Sequence, residues 1–457
     1  MNAIPLYVSA GQINAIMPSN APLGWSSVWV MFNGKSNPSP VNIVHDSPGI
    51  FTFTGTGIGP AALQNAQSDG SLVNNSNRAS AVPGQTEQIY LTGLGPVAAP
   101  DNQAPPAGNL STPVEVWVGG VSASVVYSGR SPCCSGLDQI DFVVPANAPQ
   151  GCWVPVSVRT SQTTLSNFAS LAIGPNAGAC SDSASSLAAL FQSGGSLASL
   201  SLNRMLIHED VGVNAPVDVS NDFVNYSALK LAGGPFAFLP FYSPPPPGTC
   251  TIYPGVGDYF QTGSIPQSPP KALDGGTQVS ISGPGGQKSV TIAQNSAPLG
   301  SYVPLYQLPN QLYLGPGSYT VTTNGGADIA GITTQVTMPS PLSWTNRDRI
   351  TSVNRSQPLT INWSGAATGQ SFAILAVGSD LPTNSSAVSF CSVPSGATSF
   401  TIPSQVLAAF PASRLNPLAF KDVIYLLSVS SAAIDASGLS QGAASSVYVL
   451  GKTVTFQ

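Results

Sequence analysis

A chain of 457 residues has room for three or four domains of ordinary size. Only 7% of its residues are charged, its net charge is −5, and it has no Lys/Arg cluster, so the electrostatic footprint of a nucleic-acid or anionic-membrane binder is absent. With 46 Gly, 42 Pro, 42% hydrophobic residues and no apolar run of about 18 residues, the composition favours many short strands over long helices or a membrane-inserted span.

In chain order, the opening "MNAIPLYVSAGQ" lacks the basic and apolar regions of a signal peptide. "QINAIMPSNAPLGW" (Gln12–Trp25) follows, and it returns as "QIDFVVPANAPQGC" (Gln139–Cys152) at an offset of 127 residues. Ser36–Val44 aligns with Ser166–Gly174 after a three-residue insertion. Each copy alternates apolar and polar residues, breaks at "SNAP" or "ANAP" and alternates again, which reads as strand, turn, strand and predicts the closing hairpin of a β-sandwich. The second copy has further strands ahead of this unit, at Gln85–Gly95 and Thr112–Gly129. The first has only Tyr7–Gln12, so its sandwich is expected to lack its opening strands. Three ways to satisfy the exposed face and edge follow: upstream sequence including a signal peptide, strands from another chain, or repacking on the neighbouring module.

Five regions result: an incomplete first sandwich with a Gly/Asn-rich excursion (1–82), a complete second sandwich (83–175), a linker and β-rich region (176–270), a sandwich module (271–339) and a C-terminal immunoglobulin-like module (340–457). One helical turn is expected at Ser185–Phe191 and one short helix within Phe400–Pro411. The predicted fold class is all-β, as tandem immunoglobulin-like antiparallel β-sandwich modules with turn signals every 8–12 residues.

The cysteines are Cys133, Cys134, Cys152, Cys180, Cys250 and Cys391, and none has metal or redox C-x-x-C spacing. Between Tyr127 and Gln139 the second copy has seven more residues than the first has between Tyr7 and Gln12, and these contain Cys133 and Cys134. It also has Cys152 where the first has Trp25. Because these cysteines are absent together from the first copy, Cys152 is expected to pair with Cys133 or Cys134; separately, Cys180 is expected to pair with Cys250 and tie the linker to the region that follows. Six cysteines allow 15 connectivities.

The motifs "QIN…P", "PGIF", "IYLTGLG", "GLDQIDFVVP" and "GCWVPV", over residues 5–175, resemble the C-terminal domain family of unknown function found in large Solibacter-type (acidobacterial) secreted proteins. "GSYTVTTNGG", "WTN", "INWSG" and "FTIPSQVL" resemble segments that follow it. The resemblance implies export and a β-rich fold, and it supplies no catalytic residue. This chain departs from the family by starting inside the domain.

No motif commits the chain to chemistry. His45 and His208 are the only histidines and lack ligand spacing, so "HED" (His208–Asp210) reads as a polar strand end. "GLSQG" around Ser440 matches a hydrolase nucleophile elbow as text, but a strand-like "SSVYVL" follows where a helix is required. "GTGIG" (Gly55–Gly59) reads as turn glycines, and the Asp69 and Asp274 turns lack the acidic density of a calcium loop. The 19 acids are scattered. Asn74, Asn109, Asn225, Asn354, Asn362 and Asn384 sit in glycosylation triplets, which matter only in a glycosylating host. Trp25, Trp29, Trp117 and Trp153 are candidates for glycan stacking, with Trp25 and Trp29 on one strand face; Trp344 and Trp363 complete the set of six. The expectation is an exported, cell-surface, structural or adhesive protein without catalysis or cofactor. Its alternatives are a carbohydrate-binding module assembly and a fibre subunit completed by strand donation. Its expected partners are surface polysaccharide, other protein modules, or a second copy through the incomplete N-terminal domain.

Overall fold

The computed structural model describes residues 1–103, 107–161, 164–182, 187–209, 217–254, 270–292, 301–304, 312–380, 385–413 and 422–457. Asp210 and Asn384, named above, lie outside them. The fold is all-β and built from antiparallel immunoglobulin-like sandwiches, as the alternating patterns require. Two short α-helices, α1 (Leu187–Ser193) and α2 (Ser404–Ala408), accompany the strands in the described residues. No helix among them is long and apolar enough to cross a membrane.

The first repeat consists of two separate strand pairs. Strand β1 (Ile4–Val8) pairs with β2 (Ile13–Ile16), and β3 (Gly24–Phe32) pairs with β4 (Lys35–Ile43). The second repeat is a full sandwich. One sheet holds β5 (Leu63–Ala66), β6 (Thr86–Thr92), β8 (Val121–Arg130) and β9 (Asp138–Val143); the other holds β7 (Val114–Val118), β10 (Gly151–Thr160) and β11 (Ala169–Ile173). Strand β8 pairs with β7 through Val121–Ala123 and with β9 from Ser124 onward, with a bulge between Val125 and Tyr127, and so joins the sheets at a corner. Ile89, Leu91, Ile140 and Phe142 from one sheet meet Val116, Val118, Val154, Val156, Val158 and Leu171 from the other in a closed core.

This arrangement corrects the reading of the repeated phrase. β9 and β10 flank "ANAP" but never pair with each other; they belong to opposite sheets. β2 and β3 flank "SNAP" in the same way. The phrase is an arch between sheets, not a hairpin. Alternation and turn residues look alike in both cases, because neither records which sheet the next strand joins.

The disulfide pairing changes with it. The bonds are Cys133–Cys134, Cys152–Cys180 and Cys250–Cys391, so neither expected partnership, Cys152 with Cys133 or Cys134 and Cys180 with Cys250, forms. Cys133 and Cys134 sit in the loop joining β8 to β9, whereas Cys152 opens β10 in the other sheet. Cys152 packs instead with Trp153, Cys180 and Phe191 of α1. Cys250 opens β14 (Cys250–Pro254) directly opposite Cys391 on the neighbouring strand.

Beyond residue 195 the expected regions interlock. β12 (Gly195–Glu209) pairs antiparallel with β13 (Val217–Leu231) and parallel with the C-terminal β18 (Gln441–Phe456). The strand region expected between 176 and 270 is therefore part of the C-terminal sheet, which continues through β17 (Asp422–Ala433) and β16 (Ser371–Asp380). The sheet holding β15 (Gly317–Thr323) shares its core: Tyr319 and Val321 lie in one cluster with Leu200, Leu202, Leu426 and Leu450. Residues from the three expected regions thus fill one hydrophobic interior.

Candidate binding surface

The described feature that breaks the rule of buried apolar faces is the β3–β4 hairpin. "GWSSVWVMF" gives nine strand residues, and Asn33-Gly34, both at positive φ (49° and 73°), form the two-residue turn that such hairpins favour. Trp25 is 81% exposed, Trp29 61%, Met31 77% and Phe32 73%. Trp25 pairs with Asn42 and Trp29 with Pro38, so both indoles project from one face, about 13 Å apart along the strand. Val28, Val30 and Phe32 project from the other.

Both ends of this unit are tied to the second sandwich. In the arch, Ser19 donates from its N–H (2.9 Å) and hydroxyl (2.5 Å) to the Asp101 carboxylate and accepts from the Val97 N–H at 3.0 Å. After β4, the buried Asp46 carboxylate accepts from the Thr160 hydroxyl and, at 2.7 Å, from Ser161, while His45 Nδ1 lies 3.1 Å away. Burial works to raise the Asp46 pKa, but the hydrogen bonds from Ser161, Thr160 and His45 outweigh it and hold the carboxyl below its ordinary value. The hairpin therefore has fixed roots and a free body. The β1–β2 pair rests against the cysteine loop, where Ile16 and Leu6 crowd Gly136.

Comparison with the second repeat explains why both hairpin faces are apolar. β1–β2 keeps the register of β8–β9: Tyr7 opposes Asn14 as Tyr127 opposes Asp141, with a bulge at the same place. β3–β4 does not copy β10–β11. There, a bulge between Gly151 and Val154 sets Val156 opposite Ala169 and gathers Val154, Val156, Val158, Ala169, Leu171 and Ile173 on the core side. β3–β4 has no bulge, so Trp29 opposes Pro38 where the repeat would place Ser39. That one-residue slip sends Trp25, Trp29 and Met31 to one face and Val41 and Ile43 to the other. The bulge residues Cys152 and Trp153 are held by Cys180 and Phe191, for which the first repeat has no counterpart.

The other candidate residues lie elsewhere. Trp117 is half-buried, donates to Glu115 at 3.3 Å and lies under the Arg159 guanidinium at 5.8 Å. Trp153 is only 3% exposed and meets Phe191 edge-on at 5.2 Å, so it offers no stacking face. Trp344 and Trp363 are core. Ser440 exchanges hydrogen bonds with the Ser196 backbone and is followed by a strand. His208 lies twelve residues along β12 from Ser196, about 40 Å away, against Asp218 at 2.8 Å. Asp69 and Asp274 cap their own turns. A cavity of about 230 Å³ walled by Phe53, Phe191, Phe236 and Phe238 has no titratable lining residue. Among the described residues no three His, Cys, Asp or Glu side chains group as metal ligands. The sequence reading missed Val28, Val30, Met31 and Phe32, although Asn33-Gly34 between alternating strands was the available hairpin signal.

No protein-family model matches this chain, and no curated protein does. Among solved structures it is similar to SGBP-B of the Bacteroides ovatus mixed-linkage glucan utilization locus, solved with a mixed-linkage heptasaccharide. The identity is 12% over 82% of this chain and 70% of that one, with a TM-score of 0.17. The N-terminal four Ig domains of Dscam1 match at 8% identity over 82% of this chain and 97% of that one, with a TM-score of 0.15. At such scores neither likeness carries an argument about function, and the all-β sandwich fold rests on the strand pairing described above.

Proposed function

We propose that this is an exported, non-catalytic, multi-module β-sandwich protein with a structural or adhesive role at the cell surface. The observation that carries the reading is the β3–β4 hairpin, an aromatic-rich surface rooted at both ends in a rigid sandwich. Large exposed apolar patches mark interaction sites. All six cysteines are in disulfides, which persist outside the reducing cytosol. The resemblance to Solibacter-type secreted proteins implies export as well. Beads coated with the protein should adhere to cells of the producing organism, and Trp25→Ser with Trp29→Ser should abolish adhesion. Full adhesion by the double variant, or six free thiols in protein taken from its native compartment, would overturn the reading.

A second reading has its own observation. Two exposed indoles on one face, about 13 Å apart, suit stacking against an extended polysaccharide. Saturable binding on a glycan array that is lost in Trp25→Ala and Trp29→Ala would favour this role over protein adhesion.

A further inference from the structure

We infer that the Cys133–Cys134 bond is a thiol–disulfide exchange site, opened by an external dithiol and closed by a disulfide, while the other two bonds hold the fold. The inference goes beyond the adhesive reading and does not depend on it.

The three bonds differ in what they can do for stability. A disulfide stabilises chiefly by closing a loop in the unfolded chain, more for longer loops. Cys152–Cys180 and Cys250–Cys391 join residues 28 and 141 apart in sequence, and all four of these cysteines are buried. Cys133 and Cys134 are neighbours in sequence, so their bond closes no loop, and both are exposed.

Nor does the bond shape its surroundings. The stem of the cysteine loop is held by the Ser131 N–H, which donates to the Leu137 carbonyl at 2.8 Å, and by the Arg130–Asp138 ion pair. The Arg130 guanidinium also donates to the Gly95 carbonyl at 2.7 Å. β1–β2 keeps the register of β8–β9 and closes through the Ser9–Gln12 turn, which has no cysteine. The cysteine pair is thus an addition to a unit that forms without it.

The loop suits exchange. The attacking species is a thiolate, and its rate depends on access, on which sulfur it attacks and on how readily the other sulfur leaves. No residue from Ser131 to Leu137 is charged, and Asp138 is buried against Arg130, so no exposed carboxylate of the loop repels an incoming thiolate. The buried Ser131 hydroxyl donates to Cys133 Sγ at 3.4 Å. A donor there stabilises negative charge on that sulfur, which makes Cys133 the leaving thiolate and Cys134 the sulfur attacked.

Exchange then runs in two steps. One thiolate of the dithiol bonds to Cys134 Sγ as the Cys133–Cys134 bond breaks, and Cys133 Sγ leaves with the electron pair and takes up a proton. The second thiolate attacks the reagent's first sulfur, and Cys134 Sγ leaves and is protonated in turn. Two electrons and two protons have passed from the dithiol, now a disulfide, to the protein. Closure is the reverse, and it needs no refolding because the two thiols stay on adjacent residues.

The test uses the full chain without denaturant, with dithiothreitol as the dithiol. Alkylation and peptide mass mapping should show the Cys133–Cys134 bond opening faster than either buried bond by on the order of a hundredfold. Two thiols should appear, and oxidised glutathione should remove both. With reduced glutathione, quenched early in acid, the mixed disulfide should sit on Cys134. Ser131→Ala, which keeps the N–H and removes the hydroxyl, should slow opening and spread the mixed disulfide over both cysteines, with the buried bonds still closed. Opening no faster than at the buried bonds, thiols that oxidised glutathione cannot close, or opening that also releases Cys152 and Cys180 would each overturn the exchange site. A mixed disulfide on Cys133 in the wild type, or a variant that opens at wild-type speed, would overturn the roles of Cys134 and Ser131.

Discussion

The two repeats have the same arch, the same β1–β2 and β8–β9 register and the same bulge, yet one buries its strands and the other exposes them. Val156 in β10 is fully buried; Trp29, its counterpart in β3, is mostly exposed. Local sequence therefore sets strand, arch and bulge, while burial depends on neighbours. In the second repeat β6 and β7 supply those neighbours, whereas among the described residues β2 pairs only with β1 and β3 only with β4. β3–β4 also lacks the bulge that Cys152 and Trp153 hold in place, so it cannot gather one apolar face even locally. A sheet face is made by its partners as much as by its own alternation.

The largest effect expected from breaking this comparison comes from a charge at equivalent positions. Val156→Asp puts an unpaired carboxylate into a closed core and should cost about 4 kcal/mol or more, enough to prevent folding of the second sandwich. Trp29→Asp should change chemical-denaturation stability by less than about 0.5 kcal/mol. Equal losses at the two positions would show that the first repeat has a core of its own.

Next in size is the carboxyl already present in the second core. Glu87 faces inward beside Ile89 and Leu91, and neither of its oxygens has a hydrogen-bond partner. Burial pushes its pKa up to about 9. The folded state then binds more protons than the unfolded state between about pH 4.5 and pH 9, so stability is greatest below this window and falls as pH rises through it. Glu87→Gln should remove that slope. Its melting temperature should match wild type near pH 4 and exceed it at pH 7, by a margin corresponding to roughly 3 kcal/mol. An unchanged pH slope in the variant would show that Glu87 is paired or solvated.

The parts legible in the sequence were those set by local pattern. The internal repeat, the alternating strands and the all-β class could all be read from residue spacing. Sheet membership could not. "PANAP" and "PSNAP" look the same whether the chain turns back within a sheet or arches to the opposite one, and the Cys152 pairing failed with that distinction. The parallel pairing of Leu197 with Gln441 joins residues 244 apart in sequence, and no periodicity signals it. At the candidate surface, same-face Trp25 and Trp29 were legible from spacing. The register slip that puts Val41 and Ile43 on the face opposite them was not, because it depends on a bulge that packing holds in the second copy.

A smaller effect is expected at the hairpin's root. Hydrogen bonds hold the Asp46 carboxyl below its ordinary pKa, so their contribution is present above the unfolded value near 4 and lost as pH falls through the lower folded value. Asp46→Asn keeps the shape and weakens the bonds from Thr160 and Ser161, which should cost about 1 kcal/mol. The loss should be local. Amides of β3 and β4 should exchange faster with deuterium in the variant, while those of β10 stay protected. Acid should reproduce this pattern in the wild type below about pH 4 and leave the variant unchanged. If β10 loses protection together with β3, the two repeats are one cooperative unit, and the division between a closed sandwich and a rooted, independent hairpin fails.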